Sequence, residues 1–188
     1  MKKLFLTIAV AALFMFGCQD ENSLVQPVQN QIKQNTAQKT WLKLTDKSGN
    51  AVETDYFQKN KSINGSKGDK FDIKFNFNNG VTVNGNLVVP QNAFKGKMNI
   101  SVNVNSSEAT ATFYPSPYTF NYPLSYTVEY HNLDLSGINP STIDFYYLAE
   151  DGSLQKANYD SIEVDIETGY LKVVNAQLPH FSRYGFVN

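Results

Sequence analysis

The chain has 188 residues, 41% of them hydrophobic and 18% charged, with a formal net charge of -1. That length leaves room for one domain plus extensions, and a near-neutral balance without a basic stripe argues against a nucleic-acid partner. The 13 Phe and 11 Tyr, together with Val, Ile and Thr, suit pleated, half-buried surfaces, so the expected fold class is all-β.

Lys2 and Lys3 form a positive n-region, and Leu4–Phe16 form an apolar h-region. That run is shorter than the about 20 residues a membrane-spanning helix needs, so residues 1–17 read as a cleaved signal peptide. Met15-Phe16-Gly17-Cys18 resembles a bacterial lipoprotein box, in which a small residue precedes the cysteine that becomes lipidated. Met15 and Phe16 depart from its usual leucine and small residue. Cys18 is the sole cysteine, which excludes a disulfide within the chain and makes it the candidate for lipidation by palmitate-type acyl chains. Gln19-Asp20-Glu21 is similar to the acidic export signal that carries lipoproteins of some Gram-negative bacteria to the outer surface. The two resemblances together imply an outer-membrane lipoprotein, exposed at the cell surface, that contacts the membrane through its lipid. Residues 18–39 are rich in Gln and Asn and poor in apolar side chains. Such a segment cannot bury enough surface to offset its ordering entropy, and it reads as a flexible tether.

Residues 40–188 read as one antiparallel β-sandwich. Phe71, Ile73, Phe75 and Phe77 alternate with polar residues, and Asn78-Asn79-Gly80 then supplies a turn. Val81 and Val83 follow, with Leu87 and Val89 expected across a second turn at Asn84-Gly85. Met98 to Val104, Tyr126 to Tyr130 and Ile143 to Tyr147 repeat the period of two. Glu150-Asp151-Gly152 is a hairpin candidate, with glycine suited to a positive φ. Ile162, Val164 and Ile166 alternate again before Glu167-Thr168-Gly169 turns the chain into Leu171 and Val173. Many short strands at even spacing indicate a sandwich. A domain of this size buries about 68–70% of its unfolded surface and needs neither metal nor disulfide to stand.

"VTVNGNLVVPQNAFKGKMNISVNV", Val81 to Val104, and several later segments resemble ZU-five-type domains. Val89-Pro90-Gln91-Asn92-Ala93-Phe94 is similar to the family's strand-to-corner motif, with Asn92 in place of glycine at a position where asparagine tolerates the left-handed conformation. Phe120 and Pro123 hold the family's places after its Pro-rich turn, while Pro117 and Tyr118 depart from its glycine. "IDFYYLAEDGSLQKA" resembles its tyrosine-rich hairpin and "HFSRYGF" its last strand. The resemblance spans residues 79–187. It implies a sandwich used mostly for protein contacts or as a spacer, with no cofactor.

Chemistry-bearing residues are few. His131 and His180 are the only histidines; His131 is expected in a loop after a strand, and a zinc site wants three or four tightly spaced ligands. Glu163, Asp165 and Glu167 alternate with apolar residues, so all three are expected on the outer face of one strand. Such a row suits calcium, or a solvated face that discourages edge pairing. Exposed tyrosines suit stacking on a glycan, while tyrosine equally fills sandwich cores, and sequence does not separate the two readings. His180-Phe181-Ser182 matches a self-cleavage triplet of some ZU-five-type domains, which implies Ser182 as nucleophile, His180 as base and Phe181-Ser182 as the scissile bond. Pleating offers a packing alternative, with Phe181 in the core and His180 and Ser182 together on the other face. Three functions therefore stand open: a non-enzymatic envelope lipoprotein that binds an unknown protein or acts as a spacer, a glycan-binding module, and a self-cleaving domain.

Overall fold

The computed structural model describes residues 39–45, 56–78 and 80–188. The lipid-attachment candidate Cys18, the signal peptide and the tether up to residue 38 lie outside them. All described residues belong to one compact unit, Ala37–Asn188.

The described residues form eleven strands: β1 Tyr56–Asn64, β2 Asp69–Asn76, β3 Thr82–Val89, β4 Lys97–Asn105, β5 Thr110–Tyr114, β6 Tyr118–His131, β7 Asp144–Leu148, β8 Leu154–Lys156, β9 Ser161–Asp165, β10 Tyr170–Phe181 and β11 Arg183–Val187. They make two antiparallel sheets packed face to face, in the orders β1-β4-β5-β11-β7-β8 and β2-β3-β6-β10-β9. A single 3₁₀ turn, Pro140–Thr142, is the helical element among the described residues. The all-β sandwich expected from alternation is the fold. Its core takes the apolar parity of each strand: Phe71 and Ile73 of β2, Ile100, Val102 and Val104 of β4, and Tyr126, Val128 and Tyr130 of β6 are all buried. Phe113 sits at the centre, 5.0 Å from Tyr126 edge-on and 6.1 Å from Phe181 in parallel.

The Asn84-Gly85 turn is not formed. β3 runs unbroken through it, with Gly85 opposite both Ile73 and Val128. The apolar residues on either side, Val81, Val83, Leu87 and Val89, are all odd-numbered and all buried, so one continuous pleat serves them. Glycine is suited to the position because a Cβ there would meet the Tyr126 ring at 3.3 Å and Ile73 at 3.4 Å. The other turns form as read. Gly80, Gly152 and Gly169 have positive φ, and Asn92 takes φ 64° at the corner after β3. His131 is not in a loop; it is the last residue of β6, with Nε2 3.2 Å from a Glu129 carboxylate oxygen.

"HFSRYGF" is two strands rather than one. β10 ends at Phe181 in the five-stranded sheet, Ser182 bends the chain, and β11 begins at Arg183 in the six-stranded sheet. Tyr147 pairs with Tyr184 and Asp144 with Val187, so β11 crosses from the Ser182 end of the sandwich to the Val187 end. The chain enters at the Val187 end: Trp41 bridges Val187, and Asn188 N donates to Thr40 O at 3.2 Å.

Candidate functional site

At the Ser182 end the two sheets part around an open cleft of about 630 Å³. The expected triplet sits on its wall, joined by residues that the sequence holds far away: Ser116 and Pro117 from the β5–β6 connection, and Tyr147, Leu148 and Gln155 from the β7–β8 hairpin. Phe181 is buried in the core, stacked with Phe113 and edge-on to Phe120 at 4.7 Å. That matches the Phe181 half of the packing alternative. His180 and Ser182 both line the cleft, but their side chains take different partners. The His180 ring packs edge-on against Tyr147 at 4.9 Å. The Ser182 hydroxyl instead donates to the carbonyl of Leu148.

Nucleophilic attack on the Phe181 carbonyl needs the Ser182 hydroxyl free to approach it and a base beside that hydroxyl. Here the Phe181 carbonyl accepts from Ser116 Oγ at 3.1 Å and has His180 Nδ1 at 3.4 Å. The Ser182 carbonyl accepts from Phe113 N at 3.0 Å, and the His180 carbonyl from the Tyr184 hydroxyl at 2.9 Å. Each polar atom of the corner named here is held by a neighbouring element, which fixes the crossing between the sheets. Burial, with the neighbouring Tyr147 adding, pushes the Tyr184 phenol well above its usual range, although it hydrogen-bonds to His180. It therefore serves as a neutral donor. What the sequence could not convey was that Ser116 and Leu148 would both reach this corner.

The carboxylate row is not gathered into a site. Glu163 and Asp165 lie on β9, whereas Glu167 lies in the turn beyond it. Asp165 accepts from the backbone N–H groups of Glu167 at 3.0 Å and Thr168 at 3.1 Å, and the Thr168 hydrogen bonds hold its carboxyl below the usual range. Glu163 lies 3.7 Å from Lys172 Nζ. Among the described residues, no three His, Cys, Asp or Glu side chains come together closely enough to hold a metal ion. No protein-family model matches the chain, and no curated protein matches it.

Proposed function

We propose that this chain is a lipid-anchored protein of the Gram-negative cell envelope whose β-sandwich serves as a non-enzymatic protein-interaction or spacer module. The polarity of the sandwich carries this reading. The polypeptide enters at Thr40–Leu44, beside Phe186 and Val187, whereas the cleft opens at the Ser182 end of β11. The crossing between them is five strand residues, or about 17 Å at the usual rise. Attachment through the segment that precedes Thr40 would leave the cleft, at the opposite end of β11, clear of the point where the tether joins the sandwich. The ordered ZU-five-like motifs support the same reading, because that family uses its sandwich mostly for protein contacts. So does the commitment of the Ser182 hydroxyl to the Leu148 carbonyl.

Detergent phase partitioning of whole envelopes tests the anchor. Acyl chains stabilise membrane attachment by about 0.8 kcal/mol per buried CH₂. The wild-type protein is expected in the detergent phase, and Cys18→Ala in the aqueous phase or as an uncleaved precursor. A processed Cys18→Ala protein that stays with the membrane refutes the lipoprotein reading.

A further inference from the structure

The outer face of the six-stranded sheet carries a second concavity, whose lining shares no residue with the cleft although Arg183 directly follows Ser182. It is a furrow of about 430 Å³ across β1, β4, β5 and β11. Asn103, Asn105, Thr110 and Thr112 line it, and Tyr56 and Tyr114 stand at its ends. The alternation that buries Val102, Val104, Ala111 and Phe113 puts these polar residues on the opposite face, where Asn103 and Thr112 are half-buried while Asn105 and Thr110 are buried, Thr110 Oγ1 accepting from Arg183.

Two observations separate this furrow from an ordinary solvated sheet face. Tyr56 is 71% exposed and Tyr114 42%, and only Tyr122 and Ile166 join them as exposed large hydrophobic residues among those described. Half of that small set lines one furrow. The second observation is Asn103 Oδ1, which is buried without a hydrogen-bond partner among the described residues. Its neighbours are satisfied internally: Asn105 Oδ1 accepts from Ser107 N and Oγ at 2.8 Å, and Gln58 Nε2 donates to Ser101 Oγ at 2.7 Å. A buried acceptor left open costs stability unless a donor meets it. Asn103 as a whole is half-buried, so a turn of its amide would bring this oxygen to the furrow, where a ligand hydroxyl is such a donor.

Charge narrows the ligand class. Arg183 is the charged residue of the lining, and its guanidinium is paired with the Glu108 carboxylate and lies 5.1 Å over the Trp41 ring. The furrow therefore offers amides, hydroxyls and ring faces, with its cation already neutralised. Tyr56 is level with Asn105 and Tyr114 with Ser101. Two strand spacings and four residues of rise place the two tyrosines roughly 17 Å apart, longer than one sugar ring. A pyranose carries C–H groups on its faces and hydroxyls on its rim. The faces suit tyrosine rings, and the hydroxyls suit amides and threonines. An extended peptide binds by adding to a free strand edge; here that edge is the outer side of β1, whereas β4, β5 and β11, which carry most of the lining, are paired on both sides.

We infer that this furrow binds a neutral oligosaccharide of several units, stacked on Tyr56 and Tyr114 and donating a hydroxyl to Asn103 Oδ1. This goes beyond the protein-contact reading and does not depend on it, because the furrow and the cleft share no residue. The test is an array of neutral gluco-, manno-, xylo- and galacto-oligosaccharides beside sialylated and sulfated glycans, probed with the full-length protein in a sugar-free detergent. Calorimetric titration of the bound oligosaccharide follows. A neutral oligosaccharide is expected to bind more tightly than its monosaccharide. Tyr56→Ala and Tyr114→Ala are each expected to weaken it about tenfold without moving the melting temperature, while Tyr122→Ala, outside the furrow, leaves it unchanged. Absence of binding to every neutral oligosaccharide, binding confined to acidic glycans, or binding that survives loss of both furrow tyrosines overturns the proposal.

Discussion

Tyr126→Phe removes one oxygen from the middle of the sandwich and should make the protein more stable. The Tyr126 hydroxyl is buried and has no hydrogen-bond partner among the described residues. An unpaired buried hydroxyl costs about 1–3 kcal/mol relative to its hydrated state in the unfolded chain. The ring contacts, edge-on to Phe113 at 5.0 Å and closed over by Gly85, do not involve the oxygen and survive the change. Allowing part of the gain to be lost to the small void, the net stabilisation should be about 1 kcal/mol, or about 2–4 °C in melting temperature for a domain of this size. Tyr184→Phe is the matched control, since its hydroxyl donates to the His180 carbonyl at 2.9 Å. Losing that bond should destabilise by about 1–2 kcal/mol. Urea unfolding followed by the fluorescence of Trp41, the single tryptophan, measures both. A Tyr126→Phe variant less stable than wild type by about 1 kcal/mol would refute the reasoning and mean that a buried water satisfies the hydroxyl.

Two further predictions concern ionisation and chain integrity. Burial, reinforced by Tyr130, pushes the Tyr126 phenol well up, and burial does the same for Tyr130 and, with Tyr147 adding, for Tyr184. Unfolding returns such groups to about 10, so their contribution is complete below about pH 10 and is lost as pH rises above it. Phenolate absorbance and circular dichroism should then change together in one alkaline transition, and ionisation of these three tyrosines with the fold intact would contradict the burial argument. Mass spectrometry of the purified protein should find the chain continuous across Phe181-Ser182. A fragment of residues 182–188 that vanishes in Ser182→Ala would instead establish self-cleavage.

Strand positions were largely legible because the apolar residues keep parity over many steps. At Gly85 the local signal and the parity disagreed. Asn-Gly favours a turn, but the odd-numbered buried residues on both sides needed no reversal, and parity was the better guide. At Ser182 the reverse happened. "HFSRYGF" contains no proline or glycine at the bend, and the change of sheet shows only once β11 is seen between β5 and β7. The burial of Phe181 followed from pleating, whereas the partners of Ser182 did not, because Leu148 and Ser116 arrive from remote hairpins. The furrow left a faint trace. Ser101, Asn103 and Asn105 on β4, and Thr110 and Thr112 on β5, are uncharged where an outer strand face usually carries Lys or Glu. Strand order, which places them beside one another, is not written in any local pattern.

The crossing at Ser182 also bears on when the molecule can fold. β10 lies between β6 and β9, and β11 between β5 and β7, so residues 170–187 supply an interior strand to each layer. Before they are present, β9 has no neighbour in its sheet, the β7–β8 hairpin is cut off from β5, and Leu42 lacks the Phe186 carbonyl to which it donates. Contacts of such long sequence separation form late, after the loop-closure entropy has been met. A chain delivered N-terminus first from a ribosome thus lacks an interior strand of each layer until those residues arrive. Completion of both layers waits on a single late segment.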